Sequence, residues 1–68
     1  MHRPTTDEIT QKLLNPEIAS IRIPFRYRRE AEAYQRQIHA ESPLPNLASR
    51  ILILPEEKYE IALELWLM

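Results

Sequence analysis

The chain of 68 residues carries nine Lys or Arg and ten Asp or Glu, so its formal net charge at pH 7 is −1. It has no cysteine, which excludes disulfides, thiolate metal sites and cysteine nucleophiles, and no glycine, which excludes the glycine-rich loops that cradle phosphates. A chain this short forms a single small domain, residues 1–68, in which we expect residues 1–5 to be a frayed end.

Six prolines divide the chain into segments the length of single elements, and the first predicted element is a helix over residues 6–14. Thr5 and Glu8 have the spacing of a capping box, in which the hydroxyl accepts a hydrogen bond from the amide three residues later. Ile9 and Leu13 lie four residues apart and would form the apolar face of this helix. A proline two residues beyond it ends the helix, because the residue before a proline is pushed out of helical geometry.

Residues 19–26 alternate between apolar and polar side chains, which predicts a strand buried on one face. The apolar side holds Ala19, Ile21, Ile23 and Phe25, and the polar side holds Ser20, Arg22, Pro24 and Arg26. Because proline cannot donate a hydrogen bond to a neighbouring strand, Pro24 places this strand at an edge of its sheet.

The clearest helical pattern covers residues 27–42. Its apolar stripe, at intervals of three and four residues, consists of Tyr27, Ala31, Tyr34 and Ile38. Oppositely charged residues four apart, such as Arg28 and Glu32, flank the stripe and stabilise the helix slightly. Pro43 follows directly and prevents the helix from continuing.

The last third of the chain is its most apolar part. Residues 50–54 suit either a buried strand or a further turn of helix, and the two isoleucines ahead of Pro55 favour the strand. Pro55 also suits the first position of a helix, and Glu56 and Glu57 would then lie in the first turn, where negative charge is favourable. We therefore predict a C-terminal helix over residues 55–68.

These elements predict a small α+β domain in the order α-β-α-β-α, with at most two short strands. Since a helix joins the two predicted strands, a parallel pair is compatible with this order. The alternative architecture is mostly α-helical with one extended segment.

The predicted C-terminal helix carries the first functional hypothesis. At 100° per residue its apolar side chains cover roughly two thirds of the circumference, with Glu57, Glu60 and Glu64 as the solvated strip, whereas a surface helix needs a stripe of about 100°. A small chain has little with which to cover the excess, so we predict a non-catalytic interaction or regulatory module, a homodimer or an adaptor bound to a larger protein. The residues predicted at this interface are Tyr59, Ile61, Leu65, Trp66 and Met68.

A second hypothesis rests on a basic segment. Between residues 22 and 36 the chain has five arginines and two glutamates, and aromatic side chains are interleaved with the arginines. A dimeric DNA-binding regulator or antitoxin-like protein would use such a segment against phosphates, and nucleic acid is therefore the alternative partner. Its candidate contacts are Arg22, Arg26, Arg28 and Arg29.

A strand with outward polar residues followed by two helices also resembles the outline of the ribbon-helix-helix repressors. The resemblance covers residues 19–68 and implies a dimeric ribbon that places Ser20, Arg22 and Pro24 in the major groove. The sequence departs from that family at Pro55, which would fall inside the second helix, and in the 18 residues that precede the strand.

Residues suited to catalysis or metal binding are few. His2 lies near the N-terminus, and His39 is predicted to be a surface residue of the second helix, without a partner on the same face. Since a general base needs a partner within hydrogen-bond reach, we expect no enzymatic activity, no metal site and no cofactor.

The sequence also contains no pattern typical of a membrane protein. No apolar run approaches the roughly 20 residues that cross a bilayer. The N-terminal residues are polar and lack the apolar core of a secretory signal. We therefore expect a cytoplasmic protein that does not contact membranes.

Overall fold

The computed structural model describes residues 3–55 and 61–68 of the chain. Within these residues there are two helices and three strands, in the order α-β-α-β-β. They are α1 (Thr6–Leu13), β1 (Ile21–Phe25), α2 (Arg28–Glu41), β2 (Leu47–Ile53) and β3 (Ile61–Leu67). No helix in this part of the chain is both long and apolar enough to cross a membrane.

The three strands form one antiparallel sheet in the order β1-β3-β2. In the β1 pair Ile21 lies opposite Leu65, and in the β2 pair Leu47 lies opposite Leu67. Both outer strands run antiparallel to β3, so β1 and β2 are parallel to each other but separated by it. β1, α2 and β2 thus form a split βαβ unit with β3 inserted.

Both helices pack on one face of the sheet, and the core lies between these two layers. Successive side chains of a strand point to opposite faces, so every second strand residue enters the core. The buried core residues are Ile9, Leu13, Ile23, Phe25, Ala31, Ile38, Leu47, Leu63 and Leu65. The ring of Tyr34 packs beside Phe25, with 5.4 Å between the ring centroids.

The first half of the chain confirms the elements predicted from its sequence. Thr5 caps α1 by accepting a hydrogen bond from the amide of Glu8 at 3.2 Å, and both predicted apolar residues of this helix are buried. In β1 the buried residues Ile23 and Phe25 alternate with exposed ones. β1 also lies at an edge of the sheet, as Pro24 requires.

The second helix matches its prediction except at the start. Tyr27 is the N-cap residue of α2, its backbone is extended, and half of its side chain is exposed. It therefore does not belong to the buried stripe. The other stripe residues, Ala31, Tyr34 and Ile38, are buried or packed against the core.

The prediction of a C-terminal helix is wrong. The predicted order α-β-α-β-α and the predicted limit of two strands are therefore wrong as well. Residues 61–67 form β3, whereas the predicted first turns at residues 56–60 lie outside the described residues. Leu, Ala and Glu favour helix locally, but Ile61, Leu63 and Leu65 also recur every second residue, as a strand requires. The apolar excess inferred for a helix belongs to a strand that is paired on both edges.

The structure also decides the alternatives left open by the sequence. Residues 50–53 are strand, since β2 extends to Ile53, and the mostly helical architecture is wrong. A directly paired parallel ribbon is wrong because β3 lies between the two earlier strands. The ribbon-helix-helix outline is wrong as well, since after α2 the described residues contain two strands and no further helix.

We expect Ile38→Ala to lower the free energy of unfolding by about 2–5 kcal/mol, since it removes a buried side chain between α2 and the sheet. Gln37→Ala, on the exposed side of the same helix, is the control and should change stability by less than about 0.5 kcal/mol. Urea unfolding followed by the fluorescence of Trp66 measures both variants. Equal losses at the two positions would show that the core face of α2 is misassigned.

Candidate functional site

The face of the sheet that the helices leave uncovered is the candidate functional surface. Its side chains come from the strand positions that alternate with the core positions. They are Arg22 and Pro24 of β1, Ala48, Arg50 and Leu52 of β2, and Ala62, Glu64 and Trp66 of β3. We call this surface the open face.

Three charged side chains, which we call the charged row, cross the centre of the open face. Arg22, Glu64 and Arg50 lie directly opposite one another in β1, β3 and β2. Arg22 donates its Nε–H to Oε2 of Glu64 at 3.1 Å, and Arg50 donates its Nε–H to Oε1 at 2.7 Å. Each carboxylate oxygen thus accepts a charge-assisted hydrogen bond from one arginine.

Glu64 is buried although it lies on the uncovered side of the sheet. Only 6% of the residue is exposed, whereas 56% of the Arg22 side chain and 60% of the Arg50 side chain are exposed. The hydrogen bond from Arg22, followed by the one from Arg50, lowers the pKa of the Glu64 carboxyl below its usual value, against the opposing effect of burial. The carboxylate therefore stays charged and holds the two guanidinium groups in place.

Trp66 lies beside the charged row, on the same face of β3. The guanidinium carbon of Arg50 is 5.6 Å from the centre of its ring, within the range of a cation–π contact. The half-buried side chains of Ala48 and Leu52 and the exposed Pro24 add apolar area around the charges. The open face thus presents one aromatic side chain, small apolar side chains and two arginines together.

The structure separates the five residues predicted at a protein interface. Leu65 is fully buried, whereas Ile61 is half-buried and packs against the core. Trp66 lies on the open face, and Met68, just after β3, is 82% exposed. Tyr59 lies outside the described residues. An interface role for these five residues stays a prediction.

The four arginines predicted to contact nucleic acid are divided among three parts of the fold. Arg22 belongs to the charged row in β1, and Arg26 is exposed in the turn that follows. Arg28, in α2, forms an ion pair at 3.0 Å with a glutamate four residues further along the helix. Arg29 lies over the ring of Tyr27, 5.7 Å from its centre. Their use in binding nucleic acid stays a prediction.

A polar cluster not predicted from the sequence joins α2 to β2. Ser49 accepts a hydrogen bond from Gln35 at 2.8 Å, and its hydroxyl oxygen lies 2.6 Å from Nε2 of His39. A serine nucleophile needs a histidine that a third group orients through Nδ1. Within residues 3–55 and 61–68 no hydrogen bond reaches Nδ1 of His39. We interpret the cluster as a bridge that holds α2 against β2.

A small pocket of about 270 Å³ lies between the N-terminal segment and α2. It is smaller than the roughly 300–1,000 Å³ typical of ligand pockets. The polar groups beside it are engaged within the chain, since Tyr34 donates its hydroxyl to the carbonyl of Pro4 and Arg3 pairs with Glu30 at 2.9 Å. The open face is therefore the stronger candidate.

Sequence reasoning missed Glu64 and Arg50 as residues of the site. It places Glu64 on the solvated strip of a helix, whereas the structure buries this residue between two arginines. One signal was present, since Glu64 is the single charge in the apolar segment of residues 61–67. In a strand such a charge is stabilised by an opposite charge on the adjacent strand.

Comparisons with family models, with curated proteins and with solved structures give no match to this chain.

The charged row should make stability depend on pH, because the pKa of Glu64 is lower in the folded than in the unfolded chain. Its contribution is complete above the unfolded pKa of about 4.3 and is lost as the pH falls through the lower folded pKa. We expect the free energy of unfolding to decrease on acidification below about pH 5. Glu64→Gln should lower the free energy of unfolding at neutral pH and make it depend less on pH. Urea unfolding at a series of pH values measures both effects.

Glu17→Gln is the matched control, because Glu17 is an exposed carboxylate in the turn after α1. It should keep the pH dependence of the unmodified chain. The same flattening in both variants would contradict the stabilising role of the charged row.

Proposed function

We propose that this chain is a non-catalytic interaction module that binds another protein through its open face. The observation that carries the proposal is the charged row beside Trp66, on the sheet face that α1 and α2 leave uncovered. Tryptophan and arginine are among the side chains that contribute most to binding energy at protein interfaces. This is the adaptor function predicted from the sequence, but the proposed contact surface is the open face of the sheet and not a C-terminal helix.

The hydrogen bonds of the charged row define the chemistry of the partner. A guanidinium has five N–H donors, and Glu64 engages only the Nε–H of Arg22 and of Arg50. No other hydrogen bond within residues 3–55 and 61–68 involves their terminal amino groups, which suit a carboxylate bound by two parallel hydrogen bonds. We expect the partner surface to present a carboxylate between apolar side chains that cover Trp66 and Leu52.

Glu64 also supports binding by ordering the arginines before the partner arrives. An arginine that is free in solution loses rotamer freedom when it is fixed at an interface, and this opposes association. Arg22 and Arg50 are already fixed by hydrogen bonds to a buried carboxylate. The open face therefore loses less conformational entropy on binding than unpaired arginines would.

The charges favour a protein over nucleic acid as the partner. Glu64 neutralises one of the two arginines on the open face, and Arg28 is paired within α2. The whole chain has a formal net charge of −1. Surfaces that bind nucleic acid are much more positive than this.

Selection of peptides from a displayed library against the immobilised protein tests the proposal. We expect the enriched peptides to contain a carboxylate flanked by apolar residues and to change the fluorescence of Trp66, the only tryptophan. Arg22→Ala and Trp66→Ala should each raise the Kd of the selected peptide about tenfold or more, because each removes a contact of the open face.

Arg36→Ala is the matched control, because Arg36 is exposed on α2, on the other side of the sheet. This variant should bind the peptide as the unmodified chain does. Equal affinity of Arg22→Ala and the unmodified chain would contradict the open face as the contact surface. Binding of oligonucleotides that weakens steeply with salt would favour nucleic acid as the partner instead.

A further inference from the structure

Among the described residues, no strand pairs with the edge of β2 that faces away from β3. Met68 donates its backbone N–H to the carbonyl of Asn46 at 2.9 Å, so these two opposing residues form a hydrogen-bonded pair. Bonded and non-bonded pairs alternate along antiparallel strands, so the β2 residues that bond to β3 are Ala48, Arg50 and Leu52. The residues whose backbone groups point away from β3 are Leu47, Ser49, Ile51 and Ile53.

The two edges of the sheet differ in how far they are protected. Within residues 3–55 and 61–68 no hydrogen bond engages the outward backbone groups of β2, and no proline, lysine or bulge interrupts its seven residues. Such features normally prevent an edge strand from pairing with another chain. In β1 the outward positions are Arg22, which carries a charge, and Pro24, which has no N–H to offer. One edge is blocked, and the edge of β2 is free.

The helix layer also covers the two edges unequally. Ile23 and Phe25 of β1 are buried beneath it, whereas on β2 Ile51 is half-buried and 61% of Ile53 is exposed. The free edge therefore combines unpaired backbone groups with exposed apolar side chains. A strand added at this edge would form hydrogen bonds with the backbone groups and would cover the apolar side chains.

We propose that the free edge of β2 binds the same edge of a second copy of this chain, so that the two sheets join into one. The two β2 strands run antiparallel about a two-fold axis, with Ile51 opposite Ile51 of the partner subunit. Residues 49–53 of the two chains overlap, and Ile53 lies opposite Ser49 of the partner subunit. This interface is formed by the edge of β2, meets the open face only at Arg50 and Leu52, and goes beyond the proposed function.

The single charge of β2 selects this register. An axis at Arg50 would place two like charges directly opposite each other, which is destabilising. An axis at Ile51 places Arg50 opposite Leu52 of the partner subunit, against which its aliphatic stem can pack. An axis at Ser49 would leave the exposed Ile53 outside the overlap. Because the edge is complementary to itself about Ile51, a second copy is the occupant that fits it.

Sedimentation equilibrium of the full chain over a range of concentrations measures the dimer. Ile53→Pro removes an outward N–H without removing a bond to β3, and we expect it to raise the dimer Kd about tenfold or more. Ile53→Lys adds a charge to the edge and should have the same effect, which keeps the test valid if the proline variant does not fold. Trp66→Ala alters the open face and is the control that should leave the dimer Kd unchanged.

A single cysteine tests the register, since the chain has none. Ile51→Cys should give a disulfide-linked dimer under mild oxidation, because hydrogen-bonded antiparallel pairs have Cα atoms about 5.5 Å apart, within reach of a disulfide. Ser20→Cys, just before β1 at the blocked edge, should remain uncrosslinked. Crosslinking at both positions alike would overturn the proposal.

Loss of the dimer in both Ile53 variants would support the β2 edge as the interface. A chain that is monomeric at every concentration, or a dimer that persists in Ile53→Pro and Ile53→Lys, would overturn it. A dimer that dissociates only in Trp66→Ala would overturn it too, since the contact would then lie on the open face. Failure of peptide binding with an intact dimer would count against the proposed function alone.

Discussion

The pairing of β3 with a strand on each side is the interaction on which the rest of the structure depends. The backbone groups of its alternate residues are divided between β1 and β2, and the same alternation divides its side chains between the core and the open face. A strand bonded on both edges can be apolar along most of its length without offering an edge to other chains. The most apolar segment of the chain therefore occupies the centre of the sheet.

The charged row follows from this pairing and also protects it. A shift of β3 by one residue would turn Glu64 into the core and move Leu63 or Leu65 onto the open face. A buried carboxylate that loses both arginine partners is strongly unfavourable, so the row disfavours the shifted register. The same contacts hold Arg22 and Arg50 at the surface. The charged row thus both specifies the register of β3 and orders the candidate binding surface.

The two proposed surfaces meet at β2, because Arg50 and Leu52 belong to the open face and β2 also forms the free edge. In the proposed dimer the two open faces would lie side by side, and two copies of Trp66 and of the charged row would share one surface. A partner with a repeated binding site could then engage both copies. Such bivalent binding is tighter than binding to one copy, without any new contact.

The sequence by itself determined the elements whose signals are local. The cap of α1 at Thr5, the edge position of β1 and most of the buried stripe of α2 depend on residues a few positions apart, and all were predictable. β3 was not predictable, because residues 61–67 satisfy helical and extended patterns alike. Only its hydrogen bonds to β1 and β2 decide between the two.

The candidate site was predictable only in part. The alternation of β1 predicts that Arg22 points outward, but its partner Glu64 lies 42 residues away. No local pattern specifies which strands become neighbours, so only the tertiary structure could join these residues.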